Sequence, residues 1–222
     1  MASTRRKPTF AEEKLLQAEG YRLIAGIDEV GRGALVGPVV AAAVVLPQHI
    51  KARWRVRVRD SKQLRPAARE FLSDCIREAA ISVGIGATPP DVIDARGIAR
   101  ATRLAMKSAI EQLLPPPQYL LIDYIRLPEV SLPQKGVRDG DSLCFSIACA
   151  SIVAKVARDR IMVELDAVYP GYGLAEHKGY GTRQHLACLR RFGPCPVHRR
   201  SFLPVREIAE GLFRNLSPGD LK

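Results

Sequence analysis

Residues 22–46 read RLIAGIDEVGRGALVGPVVAAAVVL. Two apolar runs, Arg22–Ile27 and Val36–Leu46, each predict a β-strand. Between them stand two adjacent carboxylates, Asp28 and Glu29, and a Gly31-Arg32-Gly33 turn. The second run is nearly continuously apolar, as a strand buried on both faces must be. Neighbouring residues of a regular strand point to opposite faces, so Asp28 and Glu29 converge only if the strand ends or bulges there. Gly31 and Gly33 permit that departure and admit close approach of a ligand. Taken alone, the same pattern also describes an exposed acidic turn.

Outward from this stretch, the chain alternates strands and helices. Upstream, Thr9-Phe10-Ala11-Glu12 has the capping-box pattern and predicts a short helix over 10–19, stopped by Gly20. Downstream, IKARWRVRVRD at 50–60 alternates basic and apolar residues and reads as either an amphipathic strand or a basic loop. AAREFLSDCIREAA, after Pro66, has helical period, and Ile81–Ile85 predicts a strand. Asp91–Leu114 predicts a helix that breaks at Gly97 and ends at Pro115–Pro117. Tyr119–Ile122 is a short apolar strand stopping at Asp123, and Cys144–Tyr169 a long helix. Thr182–Phe192 and Pro204–Phe213 are two further helices. This order predicts an α/β fold with a mixed sheet. We expect one domain over 1–222, in which 177–222 forms a basic helical C-terminal extension too short to bury a core alone.

Composition narrows the functional classes. The 222 residues are 47% hydrophobic, which supports a packed core and excludes wholesale disorder. Lysine and arginine number 34 against 23 aspartates and glutamates, a net charge of +11. A surplus of that size favours a polyanionic partner, nucleic acid before an anionic membrane surface. The longest apolar run, Ala34–Leu46, is interrupted by Gly37 and Pro38. It is shorter than the ~18 residues a membrane span needs. MASTRRKPTF is followed by AEEKLLQAEG, with no hydrophobic signal core, so a cytoplasmic protein with no membrane segment is expected. The five cysteines, Cys75, Cys144, Cys149, Cys188 and Cys195, form no C-x-x-C pair and predict reduced thiols rather than disulfides or a zinc site.

The chemistry lies in carboxylates at element ends. Asp123 closes an apolar strand, the position where α/β folds place their sites. Arg138-Asp139-Gly140-Asp141-Ser142 precedes the long helix, where either aspartate could simply cap it. Asp28, Glu29, Asp123 and Asp141 together would repel one another unless a cation holds them. An all-oxygen set favours Mg²⁺ or Mn²⁺. An acidic centre in a chain of charge +11 suggests a metal-dependent nuclease. On the long helix, Ser151, Lys155, Arg158 and Asp159 share one face, which is either functional or simply solvated. In Glu176-His177-Lys178-Gly179-Tyr180-Gly181-Thr182, Tyr180 either stacks on a sugar or base or packs in the core.

Six blocks in order resemble the motif series of bacterial ribonuclease HII, the type 2 ribonuclease H. They are GIDEVGRG with GPVVAAAVV behind it, DSKQL at 60–64, LLID at 120–123, GDSLCFSIACASIVAKVARDR at 140–160 and HKGYGT at 177–182. The resemblance runs from about Phe10 to Val205. It implies a ribonuclease H-like fold, a central mixed sheet flanked by helices with a C-terminal helical extension. It implies endonucleolytic cutting of RNA in RNA–DNA hybrids and at ribonucleotides embedded in duplex DNA, leaving 5′-phosphate and 3′-hydroxyl ends, as in ribonucleotide excision repair. The four acidic positions map onto Asp28, Glu29, Asp123 and Asp141, expected to bind Mn²⁺ or Mg²⁺, two ions when substrate is present. Gly31, Arg32, Gly33 and Tyr180 map onto the family's junction-sensing residues, and Ser61 and Lys62 onto its phosphate contact. Ser151, Lys155, Arg158 and Lys178 are further substrate-contact candidates, with Lys155 and Arg158 alternatively serving helix packing. A monomer is expected. The family usually has glycine after the third acid, where this chain has Tyr124, which puts the local turn in question. Two alternatives stand at this point: a nuclease of the same fold acting on structured DNA, and a non-catalytic nucleic-acid binder.

Overall fold

The computed structural model describes residues 7–211. The elements in order are α1 (Ala11–Ala18), β1 (Ile24–Val30), β2 (Val39–Val45), α2 (Pro66–Ala79), β3 (Ser82–Thr88), α3 (Pro90–Arg96) and α4 (Ile98–Glu111). There follow β4 (Tyr119–Asp123), β5 (Gln134–Val137), α5 (Gly140–Leu143), α6 (Phe145–Val168), α7 (Leu174–His177), α8 (Arg183–Phe192) and α9 (Leu203–Ala209). Pro204–Phe213 was the expected extent of the last helix; its end, 212–213, lies outside the described residues. Among the described residues no helix is long and apolar enough to cross a membrane, and all five cysteines are free.

The chain forms two compact units. The first comprises Met1–Val30, Val40–Ala87 and Thr102–Ala157. Its five-stranded sheet has the order β3-β2-β1-β4-β5. β1 pairs antiparallel with β2 and parallel with β4, and β4 pairs parallel with β5, so the sheet is mixed as expected. All seven residues of β2 are buried, which is why its sequence shows no alternation. On one side of the sheet, Ala42 and Val44 of β2 and Leu46 just after it pack with Leu72 and Ile76 of α2 and with Phe145, Ala148, Cys149 and Ile152 of α6. Leu16, Ile24, Leu121, Val137, Cys144 and Ile147 form a further cluster. The small residues of α6 let it lie close to β1. At Gly26 the approach is so tight that a Cβ would strike the backbone of Ser146.

Several local expectations change. Thr9 does not form a capping box: α1 starts after Phe10 with no side-chain cap, and Thr9 Oγ1 instead accepts from Ala11 N at 3.4 Å. The two carboxylates of α1 part company. Glu13 is buried and its Oε1 accepts from Ser146 N at 2.8 Å, capping the start of α6 from the far end of the sequence. The 50–60 stretch is not a strand: Arg53–Arg57 makes a short 3₁₀ turn, the loop-like alternative. β5 had no expectation, because QKGV is short and polar; its partner β4, not its composition, makes it a strand.

The second unit comprises Gly31–Val39, Thr88–Ala101 and Arg158–Lys222, described as far as 211. It thus reaches back to an early loop and to α3, beyond the 177–222 extension expected. Val36, Met162, Tyr172, Leu174 and Cys195 form one buried cluster, and Leu35, Leu189 and Val205 another. Asp94 at the end of α3 accepts from Arg200 N (2.8 Å), Ser201 N (2.9 Å) and Ser201 Oγ (2.6 Å), fixing the entry to α9.

Candidate active site

In the first unit, the parallel ladder pairs Ile27 of β1 with Ile122 of β4. The next residue of each strand is an aspartate, so Asp28 and Asp123 stand at matching levels on neighbouring strands. Asp28 is only 5% exposed. Burial pushes its carboxyl well above the usual carboxylate range, and the charges of Glu29 and Asp123 push it further. Ser151 of α6 donates to it, and Ser151 Oγ lies 3.0 Å from Ser61 Oγ. Both serines are buried, so their contact in this structure is with the acidic centre through Asp28.

Asp123 Oδ1 accepts from Gly140 N at 2.7 Å. Burial still raises its carboxyl; the Gly140 bond opposes this, Asp141 repels, and the Lys62 ammonium lowers it. Asp141 is likewise raised, by burial and then by Asp60, against the pull of Lys62 and a hydrogen bond from Ser142. It sits in the first turn of α5, while Asp139, the residue before that turn, takes a left-handed φ of 54° and makes no side-chain cap. β5 delivers this segment: Asp123 pairs with Val137, and the chain then turns to place Gly140 on Asp123.

Glu29 differs from the sequence expectation. β1 neither ends nor bulges at Asp28; the ladder with β2 continues through Glu29–Ala41 to Val30–Val40. Strand alternation therefore directs Asp28 and Glu29 to opposite faces, although the Glu29 charge still acts on Asp28. Among the described residues no three His, Cys, Asp or Glu side chains converge closely enough to hold a metal ion as they stand. The donor chemistry nonetheless fits a hard cation: three carboxyls raised by burial and mutual repulsion, with only oxygen donors between them. A bound divalent cation would relieve that repulsion.

Tyr124, at the position in question, adopts φ 59°, the left-handed region that glycine fills without strain. Tyr124 N donates to Val137 O at 2.9 Å and the side chain is 69% exposed, so the ring stands clear of the carboxylates' own strand.

The glycine turn and Tyr180 belong to the second unit. Gly31 has φ 91°, and a Cβ there would run into the Arg158 side chain. Arg32 and Gly33 are exposed. Leu35 N donates to Gly179 O at 2.8 Å, which joins the turn's segment to the Tyr180 loop. Tyr180 is 36% exposed, not a core residue. Its carbonyl oxygen lies 3.0 Å from His185 Nδ1. Burial holds His185 and His198 down at about 4, so both imidazoles are neutral at physiological pH. With Nδ1 of neutral His185 donating to Tyr180, its Nε2 accepts from His198 Nε2 at 3.2 Å.

Other expected contacts are redistributed. Arg158 is fully buried, and its three guanidinium nitrogens all donate to main-chain carbonyls. Of the two roles open to it, packing is the one it fills, and a direct phosphate contact is corrected. Of the two readings of that helix face, the solvated one does not hold for Ser151 and Arg158, which are both buried. Lys178 is half-buried and turns its ammonium toward Ala175 O. Lys62 is exposed and Lys155 half-buried. Sequence reasoning missed Arg199, also fully buried, which donates from Nε to Gly37 O (3.0 Å) and from Nη1 to Arg32 O (2.9 Å). Within the basic run HRRSF nothing separates it from the exposed Arg200 beside it.

The family model and the curated relatives name one family. The family model for ribonuclease HII matches residues 25–205. A ribonuclease HII of Dehalococcoides mccartyi (strain BAV1) is 57% identical over 205 residues, covering 92% of this chain and 97% of that one. The solved ribonuclease H2 from Pyrococcus horikoshii OT3 superposes with a TM-score of 0.73 at 26% identity, over 87% of this chain and all 100% of that one. An RNase HII from Archaeoglobus fulgidus, solved in a complex with PCNA, has a TM-score of 0.69 at 26% identity, over 82% of this chain and 95% of that one.

Proposed function

The chain belongs to the ribonuclease HII family, a metal-dependent type 2 ribonuclease H endonuclease, and from that premise we propose that it cuts RNA–DNA hybrids and duplex DNA at embedded ribonucleotides, leaving 5′-phosphate and 3′-hydroxyl ends. Membership removes the non-catalytic reading. The observation that carries the catalytic assignment is the pair Asp28–Asp123, placed at one level by the β1–β4 ladder with Asp28 buried.

In this reading Asp28, Glu29, Asp123 and Asp141 hold Mn²⁺ or Mg²⁺, two ions once substrate is bound. The ions supply water activation and stabilisation of the leaving 3′-oxygen. The protein's own part is to place these carboxylates and to oppose the rise that burial imposes on them. Ser151, backed by Ser61, donates to Asp28, and Gly140 N donates to Asp123. Lys62 offsets the charge of Asp123 and Asp141 and offers a cation to phosphate. Lys155 and Lys178 are further candidates for phosphate contact.

Discrimination against plain DNA requires contact with the 2′-hydroxyl. Main-chain groups of Gly31, Arg32 and Gly33 read it, and the partly exposed Tyr180 ring stacks on the neighbouring sugar. The enzyme acts as a cytoplasmic monomer in ribonucleotide excision repair.

The test is direct. With Mn²⁺ or Mg²⁺, a duplex carrying one ribonucleotide is cut at that residue, an all-DNA duplex of the same sequence is not, and chelation stops the reaction. Equal cutting of both duplexes would sink the substrate assignment.

A further inference from the structure

Arg158 lies at the centre of the second unit with no exposed surface. Its Nε donates to Pro38 O at 3.0 Å, Nη2 to Val36 O at 3.1 Å and Nη1 to Lys178 O at 2.9 Å. The guanidinium carbon lies 5.7 Å from the centroid of the Tyr180 ring, within cation–π range. Two of the three acceptors belong to the segment that Gly31-Arg32-Gly33 opens. The third belongs to the loop that carries Tyr180. Gly31 is moulded on the same side chain, since a Cβ there would collide with it.

A guanidinium is planar and presents its donors at fixed angles, so three acceptors on two loops leave those loops little freedom relative to each other. Charge-assisted hydrogen bonds offset part of the cost of burying the cation. A lysine ammonium is a point charge on a flexible stem and cannot span the same acceptors in the same geometry. Arg199 grips the same segment at Arg32 O and Gly37 O but makes no such hydrogen bond to the Tyr180 loop. The direct main-chain tie between the two loops is Leu35 N to Gly179 O. Arg158 is therefore a side chain through which the glycine turn and the tyrosine loop share one mount.

We infer that Arg158 is a positioning residue: it holds the Gly31-Arg32-Gly33 turn in register with Tyr180 and thereby determines selectivity for a lone ribonucleotide. The inference rests on the ribose-reading roles proposed above for those residues. A lone ribonucleotide offers one productive register, in which both readers must engage together. A long hybrid offers many registers, so a loosened pair of readers is partly compensated.

Two measurements on Arg158→Lys test this, with Leu72→Ala as a control. Leu72 is a fully buried core residue of the first unit. The first measurement is amide hydrogen exchange, which needs no substrate. Exchange should accelerate together over 31–38 and 178–180 in Arg158→Lys, with β1 and β2 unchanged. Acceleration in neither segment, or in one alone, overturns the shared mount.

The second is kcat/KM on a single embedded ribonucleotide against a long hybrid. Arg158→Lys should lower the ratio by at least about fivefold, as expected for losing one charge-assisted contact. Leu72→Ala should lower the melting temperature without moving the ratio. Combining Arg158→Lys with Tyr180→Ala should cost less than the product of the single losses, because both remove the same reader. An equal loss on both substrates, or multiplicative losses, overturns the selectivity role. Should Arg158→Lys not fold, Arg158→Met keeps the unbranched stem and removes all three donors, with the same expected and overturning results. A wild-type enzyme that ignores embedded ribonucleotides refutes the ribose-reading roles instead, and the exchange experiment still decides the mount.

Discussion

Asp28 and Asp123 stand next to each other because Ile27 and Ile122, one residue earlier on each strand, are partners in a parallel ladder. Two carboxylates 95 positions apart in sequence thus share the C-terminal edge of the sheet, where open α/β folds bind their ligands. Asp28 pays for that place in desolvation, and its neighbours add repulsion.

Asp28→Asn should therefore abolish cleavage while stabilising the metal-free protein. A carboxyl raised in the folded state contributes stability below its unfolded value of about 3.8 and loses it as pH rises through the folded value. At pH 7, above the unfolded value, burying Asp28 is thus a net cost. Thermal melts without metal should show Asp28→Asn above wild type at pH 7, with the gap narrowing as pH falls. Added Mg²⁺ or Mn²⁺ should raise the wild-type melting temperature more than the variant's. A lower melting temperature for the variant at pH 7 would contradict the electrostatic account.

Below pH 6.5 a second effect of opposite sign enters. His185 and His198 are held down at about 4 by burial. Groups lowered in this way contribute stability above the unfolded value of 6.5 and lose it as pH falls toward 4. The wild-type melting temperature should fall across that window even while the Asp28 penalty shrinks. Histidine proton chemical shifts followed by NMR should show both rings neutral at pH 5.5; a ring titrating near 6.5 would refute it.

Tyr180→Ala should cost far more on a single embedded ribonucleotide than on a long hybrid. Losing an aromatic stack of ~1–3 kcal/mol corresponds to roughly 5- to 150-fold in kcat/KM when the contact is complete in the transition state. Steady-state kinetics on both substrates measures it. An equal, small loss on both would leave Tyr180 a packing residue.

Glu13→Ala should destabilise the fold and spare the chemistry. The carboxylate caps Ser146 N at 2.8 Å and accepts from Cys144 Sγ at 3.1 Å. Losing such a cap costs about 1–2 kcal/mol. Urea unfolding should show that drop, with kcat/KM close to wild type below the transition.

Tyr124→Gly should stabilise the protein by about 1 kcal/mol, since a non-glycine residue in the left-handed region carries a penalty of that order. The side chain is mostly exposed, so little packing is lost with it. A melting temperature equal to or below wild type would show that the ring makes contacts worth the strain.

The sequence by itself determined the alternation of elements and the chemical character of the centre. The apolar runs ending at Asp28 and Asp123, and the continuous run of β2, carried strong local signals because burial on both faces leaves no room for polar residues. The motif series carried the family. Charge and motifs could not say which polar side chains are buried. Ser61 and Ser151, Arg158 and Arg199, Glu13 and the two histidines His185 and His198 are all buried. Each is buried because its partners arrive from distant parts of the chain: Ser146 for Glu13, Val36 and Lys178 for Arg158, Arg32 for Arg199. The strand at Gln134–Val137 exists only because β4 offers it a free edge. Local sequence encodes the propensity of each segment, whereas the pairing of buried polar groups depends on which backbone donors and acceptors the tertiary fold brings within about 3 Å.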